Sequence, residues 1–260
     1  MANPYLDKIK QLPVSEQNKF LSLLEEYEQA KNRQECGENF LPFVKHIWSA
    51  FIEGYHHTKM ADAFDRVARG ELKRLIINMP PRHTKSEFAS YLLPAWYLGK
   101  YPEKKIIQIA HTAELAVGFG RKVRNLVGSE DFKDVFPNVA LQSDSKAAGR
   151  WNTNKGGEYF AIGVGGAVTG KGADVLIIDD PHSEQEGQSG DPSVFDRVYE
   201  YYTSGPRQRL QPGGSIVIVM TRWHKRDLTG QILKAQESRA GVDDWEVIEF
   251  PAILPSGKSL

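Results

Sequence analysis

Residues 75–87 of the chain read LIINMPPRHTKSE, an apolar run that passes directly into a polar, proline-containing segment. The apolar run predicts a short buried strand, and the polar end predicts a helix that begins at Glu87. A strand, a tight loop that ends in Lys85-Ser86 and a helix form the layout of a phosphate-binding loop. In such a loop the main-chain N–H groups and the helix dipole attract phosphate oxygens.

The same stretch departs from the standard phosphate-loop pattern G-x-x-x-x-G-K-[ST]. The first glycine of that pattern falls on Met79 and the second falls on Thr84, whereas Lys85 and Ser86 match it. In the standard loop the lysine reaches the outer phosphates and the hydroxyl ligates Mg²⁺. On these residues alone, a nucleotide site and an ordinary strand-to-helix turn both stay open.

A second pair of polar residues follows another apolar run. Asp179 and Asp180 come directly after residues 175–178, which read VLII, the layout of a Walker B strand. The first carboxylate would hold Mg²⁺ through its water shell, and the second could orient or deprotonate the attacking water. An Asp-Pro turn that caps the next segment is the alternative. Because both motifs end predicted buried strands, their joint occurrence favours the nucleotide site.

Further strands and helices are predicted along the chain. Apolar runs at 106–110 and 215–220, and the segment from Trp245 to Phe250, predict three more strands. Helices are predicted from apolar residues at helical spacing, with Gly70, Thr112 and Asp191-Pro192 at their ends. Their predicted apolar positions are Met60, Phe64 and Val67; Leu115, Phe119, Val123 and Leu126; and Val194, Phe195, Val198 and Tyr199. Short strands that alternate with amphipathic helices predict an α/β fold with a mostly parallel sheet.

Two more segments lie next to predicted strands. Thr221-Arg222-Trp223-His224 follows the run at 215–220 and suits a sensor of the γ-phosphate, and Asp227 could also cap a helix there. Residues 163–172 read GVGGAVTGKG and precede the Asp179 strand. They lack the strand-then-helix order of a dinucleotide fingerprint, so they predict a flexible loop that carries Lys171.

Composition sets broad limits. The 260 residues are 40% hydrophobic, enough for one large core. Thirty-three basic and 33 acidic residues give no net charge, so the basic signature of a DNA-binding protein is absent from the composition. No apolar run approaches the roughly 20 residues of a membrane helix. The lone Cys36 excludes an internal disulfide, and together these features predict a soluble intracellular protein.

Together these motifs resemble the ATPase domain of phage large terminase subunits. The resemblance is carried by residues 76–87, by TGKGAD at 169–174 with the strand to 181, by MTRWH at 220–224 with DLTG at 227–230, and by GYHH at 54–57. It runs from about residue 40 to the end, and a glycine-poor PPRH loop is this family's variant of the Walker A motif. The resemblance implies a P-loop NTPase of the ASCE (RecA-like) class, a three-layer sandwich with a mostly parallel central sheet.

The resemblance also implies ATP and Mg²⁺ as cofactors and assigns roles to particular residues. Ser86 and Asp179 would serve Mg²⁺, and Asp180 would replace the usual catalytic glutamate, for which Glu184 or Glu186 could substitute. The implied nucleotide-binding residues are Pro81, Arg82, His83, Thr84, Lys85 and Ser86, with Thr221 and Arg222 as the coupling motif. The implied catalytic residues are Asp180, Arg82 and Lys171.

Two assignments rest on position alone. Lys171 occupies the place of an arginine finger, although lysine lacks the planar guanidinium, and Arg121, Arg124 and Arg150 are alternatives. Phe43, Trp48 and His56 are candidates for contacts with adenine because they lie upstream of the phosphate loop.

The implied function is a motor domain that couples ATP hydrolysis to translocation of double-stranded viral DNA into procapsids. Implied partners are DNA, the portal protein, the small terminase subunit and further copies in a homo-oligomeric ring, with a monomer expected in isolation. The expected location is the host cytoplasm and, transiently, the procapsid portal. The alternatives are a superfamily 2 helicase-like translocase, which would need a second RecA-like domain, and a nucleotide-binding scaffold without turnover.

Three regions are expected along the chain. Residues 1–36 form an N-terminal helical arm, in which Pro13 separates two short helices; residues 37–250 form the ATPase domain. Residues 251–260 would begin a linker to an RNase H-like nuclease domain, so nuclease activity is expected only from a longer protein.

Overall fold

The computed structural model describes residues 12–189, 191–238 and 243–253, together with residues 257 and 260. The described α-helices are α1 (Val14–Glu38), α2 (Phe40–Ile47), α3 (Tyr55–Ala68), α4 (Leu93–Lys100), α5 (Ala113–Val127), α6 (Glu130–Val135), α7 (Glu184–Ser189), α8 (Pro192–Ser204) and α9 (Leu228–Ser238). A π-helical segment, Glu87–Leu92, leads into α4, and a 3-10 helix, Pro206–Arg209, follows α8.

The strands are β1 (Arg74–Asn78), β2 (Lys105–Ala110), β3 (Leu141–Ala147), β4 (Arg150–Thr153), β5 (Glu158–Gly163), β6 (Ala173–Asp179), β7 (Leu210–Met220) and β8 (Glu246–Glu249). Within the described ranges they form one eight-stranded sheet in the order β3-β4-β5-β2-β6-β7-β1-β8. The six strands from β5 to β8 in this order are parallel, and β3 and β4 are antiparallel. The predicted mostly parallel sheet is confirmed.

The strand order explains how the two motifs meet. β1 leads into the candidate phosphate loop, residues 79–86, which is called the phosphate loop below. β6 ends in Asp179, and β7 lies between β1 and β6, hydrogen-bonded to both. Because the three strands are parallel, their carboxyl ends open at one edge of the sheet. Residues that are far apart in the sequence therefore converge at this edge.

Helices cover both faces of the sheet. Leu75 and Ile77 belong to one core cluster, which includes Phe40 of α2 and Trp96 of α4. Ile76 belongs to the other cluster, with residues of α8 and α9. This alternation along β1 is what a strand buried on both sides requires.

All five predicted strands are present, but three more were missed. β3 consists mostly of exposed polar residues, and β5 alternates buried with half-buried residues. Neither has the continuous apolar run that marks the parallel core strands, so the sequence pattern did not identify them.

The predicted helix ends are confirmed. The Thr112 hydroxyl accepts a hydrogen bond from Leu115 N, Asp191 caps α8, and Gly70 follows α3 with a φ of 76°. The predicted apolar face of α5 was partly wrong, because Leu115 is 55% exposed. The helix buries Gly120 instead, where a Cβ would lie 2.4 Å from Ala148 O, so the small residue sets the close packing.

The N-terminal arm contains one long helix in the described part. α1 begins directly after Pro13, and Cys36 is its one buried residue. The shorter helix predicted before Pro13 falls outside the described residues. Apolar residues along α1 are exposed: Phe20, Leu21, Leu23, Leu24 and Tyr27.

None of the helices in the described ranges combines the length and apolar character needed to cross a membrane.

Candidate active site

The loop after β1 has an unusual backbone. Arg82 and Thr84 have φ values of 64° and 66°, in the left-handed region. Thr84 stands where the standard pattern has its second glycine, and the left-handed region costs an L-residue roughly 1–2 kcal/mol. Strain of this kind is retained mostly at ligand sites. Thr84 thus adopts, without a glycine, the left-handed conformation that a glycine normally permits.

This loop presents unused main-chain donors. The N–H groups of His83, Thr84 and Lys85 have no acceptor within the described residues, and the first helical bond runs from Phe88 N to Thr84 O. Free N–H groups at the start of a helix, together with its dipole, form an anion-binding site. The loop is therefore suited to phosphate.

Lys85 meets the second acid of the other motif. Its Nζ lies 2.8 Å from Asp180 Oδ2, and its side chain is only 6% exposed. The other oxygen of Asp180 accepts a hydrogen bond from Thr221 N at 2.7 Å. Lys85 is buried whereas the Asp180 side chain is 38% exposed, so loss of Asp180 would leave a buried ammonium without its partner, which is costly. Both oxygens of Asp180 are thus fixed in this state.

Asp179 is bound by two hydroxyl groups. Ser86 Oγ donates to Asp179 Oδ1 at 2.9 Å, and Ser90 Oγ donates to Oδ2 at 2.7 Å. Burial, and then the neighbouring Asp180, raise the pKa of Asp179 above its usual range. A buried carboxylate of this kind favours a cation beside it.

The donor set fits Mg²⁺ in one particular way. Among the described residues, no group of three His, Cys, Asp or Glu side chains could hold a metal. Mg²⁺ typically takes one or two protein oxygens and fills its octahedron with water and substrate phosphates. The Ser86 hydroxyl and the Asp179 carboxylate are oxygen ligands of that type.

Ser90 and Gln108 belong to this site but were not singled out in the sequence. Gln108 Nε2 donates to Ser90 Oγ at 3.1 Å, and both side chains are buried. Ser90 lies four residues after Ser86, which in a helix places it near the same face, and this spacing was an available signal. Gln108, within the apolar run of β2, was a polar exception of the kind that often has a buried partner.

Thr221 and Arg222 lie beside the loop, as predicted for a segment that follows β7. The Thr221 hydroxyl donates to Met79 O at 3.3 Å, while its N–H binds Asp180. Arg222 Nε donates to the buried Asp227 at 2.9 Å. Thr221 therefore contacts both the phosphate loop and the acid pair.

Asp227 has the capping role that was predicted. Its carboxylate accepts hydrogen bonds from Trp223 N, His224 N and Gly230 N, at 2.9–3.2 Å. These donors belong to the loop after β7 and to the start of α9. One buried carboxylate thus fixes this loop to the helix that follows.

A cavity of about 590 Å³ adjoins the phosphate loop on the β8 side. Its walls combine the apolar residues Met79, Pro80, Pro81 and Phe250 with the polar residues Asn78, Thr221, Arg222 and Glu249. The cavity opens at the same edge of the sheet as the acid pair.

The structure places Lys171 elsewhere. Lys171 Nζ lies 2.6 Å from Glu158 Oε1 of β5 and 4.8 Å from the centre of the Phe160 ring, and the side chain is 15% exposed. Arg150 pairs with the same carboxylate. Lys171 is therefore held by β5 rather than directed at the acid pair.

Glu184 and Glu186, the two candidates to replace Asp180, differ in their surroundings. Glu186 forms a capping box at the start of α7: its carboxylate accepts from Ser183 N at 3.0 Å, and Ser183 Oγ accepts from Glu186 N at 3.1 Å. It also pairs with Arg197. Glu184 is exposed. Glu186 therefore has a structural role at the start of α7, and its part as a catalytic substitute stays a prediction.

The adenine candidates are only partly suited to that role. Phe43 is fully buried against Phe132 and Phe136, so a ligand cannot reach its ring, and that interpretation was wrong. Trp48 packs on Phe51, and His56 is buried against His57. Position upstream of the loop did not predict exposure, because it carries no information about which face of a helix is covered.

Comparison with known proteins finds a likeness in the fold. No protein-family model and no curated protein matches the chain. The large terminase of bacteriophage HK97 superposes with a TM-score of 0.50, over 80% of this chain and 41% of its own, with 15% identity. This chain has the fold of a phage large terminase. It spans 41% of the length of the HK97 protein, and at this identity the likeness is one of fold.

A second solved structure that aligns with this chain is the ATPase domain of the Thermus phage P74-26 large terminase. It aligns with a TM-score of 0.45, over 80% of this chain and 84% of that domain, with 16% identity.

Proposed function

We propose that this chain is the ATP-hydrolysing motor domain of a viral large terminase. The observation that carries the proposal is the meeting of Lys85 and Ser86 with Asp180 and Asp179 at one edge of the sheet. A lysine, a hydroxyl and two acids are the groups that P-loop enzymes use to bind and hydrolyse MgATP. The terminase-like fold supports the same conclusion.

The proposed roles follow from the contacts. The main-chain N–H groups of residues 82–86 bind the phosphates, with the exposed guanidinium of Arg82 beside them. Ser86 and Asp179 serve Mg²⁺, which when bound offsets the charge of the phosphates. An arriving γ-phosphate competes with Asp180 for Lys85, and Asp180 is then free to orient the attacking water.

The position of β7 supports the ASCE (RecA-like) class. In that class an additional strand separates the two strands that carry the phosphate loop and the Walker B acids, as β7 does here. Thr221 at its end contacts both of those segments. We propose that Thr221 and Arg222 transmit the loss of the γ-phosphate to α9 through Asp227.

In this proposal the arginine finger comes from a neighbouring copy of the chain. Lys171 could act only after release from Glu158, so an arginine from an adjacent subunit of a ring is the better candidate. Arg121 and Arg150 are exposed in this chain and could serve a neighbour. Slow hydrolysis is therefore expected from an isolated subunit.

The wider function follows from the same assignment. Residues 37–250 would form the motor and residues 1–36 its arm. The partners would be double-stranded viral DNA, the portal protein, the small terminase subunit and further copies in a ring. This assembly would act in the host cytoplasm at the procapsid portal.

The test is Mg²⁺-dependent release of phosphate from ATP, with and without double-stranded DNA. Lys85→Ala should reduce the rate on the order of 100-fold, because it removes the cation that meets the γ-phosphate. The matched control is Lys133→Ala, an exposed lysine paired with Glu130, which should leave the rate unchanged. Equal rates in the wild type and Lys85→Ala would reject the proposal and favour a scaffold without turnover.

A further inference from the structure

The left-handed conformation of Thr84 has a support outside the loop. Thr84 Oγ1 lies 2.6 Å from His57 Nε2, and it also lies 2.6 Å from His83 O. His57 Nδ1 accepts a hydrogen bond from Gly54 N at 2.8 Å, so the ring proton must be on Nε2. His57 therefore donates to the Thr84 hydroxyl, which in turn donates to His83 O.

His57 is itself held firmly. It lies in the first turn of α3, and only 5% of it is exposed. The centre of its ring lies 4.8 Å from those of Phe51 and Phe88 and 3.8 Å from that of His56. Burial, and then His56, lower the pKa of His57 to about 4, so its ring stays neutral near pH 7. A packed, neutral ring can accept from Gly54 and donate to Thr84 at the same time.

The backbone strain of Thr84 and the stabilisation from its two hydrogen bonds are of similar size. The cost of a left-handed threonine is of the same order as the stabilisation that one or two neutral hydrogen bonds contribute. Two bonds to the same hydroxyl are therefore sufficient to offset the backbone cost. Without them, Thr84 would favour an ordinary φ, and the N–H groups around it would turn away from a common anion.

We propose that His57 is a positioning residue that holds the phosphate loop in its anion-binding conformation through the Thr84 hydroxyl. This inference rests on the proposed nucleotide site. A glycine at position 84 would adopt a positive φ without support from His57. The contribution of His57 to nucleotide binding must therefore depend on which residue is at position 84.

The experiment measures MgADP binding to the full chain by titration calorimetry, in the wild type, His57→Phe, Thr84→Gly and the double variant. Phenylalanine keeps an aromatic ring among Phe51 and Phe88 but cannot donate to Thr84. We expect His57→Phe to weaken binding about 10-fold in the wild-type background and less than about 2-fold in the Thr84→Gly background. An equal loss in both backgrounds, or no loss in either, would overturn the inference.

Variants of Thr84 test the same contact without a substitution in the hydrophobic core. Thr84→Val keeps the β-branched shape at a half-buried position and lacks the hydroxyl, so it should also weaken binding about 10-fold, whereas Thr84→Ser should restore it. The matched control is Thr58→Val, which removes an exposed hydroxyl of α3 bound to Glu53 and should change nothing. Unchanged binding in Thr84→Val would overturn the inference alone, whereas a wild type that binds no MgADP would overturn the proposed function as well.

Discussion

Single residues with strained backbone mark the candidate site. In the described part of the chain, the non-glycine residues with positive φ are Arg82, Thr84 and Asp180. All three lie in the phosphate loop or the acid pair. Such conformations persist only where surrounding contacts over-determine them. Thr84 is held by His57, and Asp180 is held by Lys85 and Thr221.

His182, two residues after this pair, predicts how stability depends on pH. Its Nε2 accepts a hydrogen bond from Leu228 N, and its Nδ1 has no acceptor among the described residues. Burial lowers the pKa of His182 to about 4, against about 6.5 in the unfolded chain. Between these pH values the unfolded state binds a proton on this ring and the folded state does not. The free energy of unfolding therefore decreases as pH falls from about 6.5 to about 4.

We expect His182→Gln to flatten this dependence. The glutamine carbonyl can still accept from Leu228 N, but the side chain does not titrate. Between pH 7 and pH 5 the variant should lose roughly 4–7 °C less in melting temperature than the wild type. Scanning fluorimetry at both pH values without nucleotide measures this, and parallel losses in the two proteins would show that His182 is not responsible.

At the scale of elements, the helices after the acid pair are joined to the loop after β7. A Cβ at Gly187 of α7 would lie 2.6 Å from the Trp223 ring, so only glycine allows this packing. Phe195 of α8 stacks on His224 with ring centres 5.1 Å apart. The loop therefore contacts both helices, and its movement would be transmitted to them.

Asp227 should be the most sensitive position in this arrangement. It is fully buried and serves three main-chain donors and Arg222, which a single amide oxygen cannot do. We expect Asp227→Asn to reduce the free energy of unfolding by about 2–4 kcal/mol. The control is Asp191→Asn, because asparagine is an equally good cap at the exposed start of α8. Equal effects in urea unfolding would refute the central role of Asp227.

At the scale of the whole molecule, the sheet and its two helical layers form the main body, and α1 extends from it. The contacts that attach α1 lie at its C-terminal end, where Trp96 Nε1 donates to Cys36 O and Lys100 Nζ donates to Glu38 O. Most of the preceding residues of α1 are exposed. The exposed part of α1 that precedes these contacts therefore contributes little to the stability of the main body.

Deletion of residues 1–28 should test this. The melting temperature of the remaining chain should stay within about 2 °C of the wild type, because residues 12–28, the described part of the deletion, are almost all exposed and such residues contribute little to folding. Deletion of residues 1–38 should lower it clearly, because the buried Cys36 and both carbonyl acceptors are lost. A large decrease on the shorter deletion would mean that α1 belongs to the folded body.

Much of the fold was accessible from local sequence patterns. β1, β2, β6 and β7 were predicted because parallel strands buried on both faces are continuous apolar runs. β8, a partly exposed edge strand, was predicted from the apolar residues between Trp245 and Phe250. The helix ends at Thr112 and Asp191 were predicted because capping depends on residues adjacent in sequence. β3 and β5 were missed because a partly exposed strand lacks such a run, and its pairing is decided by neighbours far along the chain.

Lys85, Ser86, Asp179, Asp180 and Thr221 were predicted individually, since each follows or ends an apolar strand, but Ser90 and Gln108 were not. The chain order does not reveal that β7 separates β1 from β6, so it could not show that Thr221 bridges the loop and Asp180. Likewise, Lys171 looked available and proved to be bound to Glu158, and Phe43 looked available and proved to be buried. Residue type and local spacing therefore determined which chemistry this chain carries. Burial and pairing depend on contacts between distant segments, so only the tertiary structure decided which of those groups can act together.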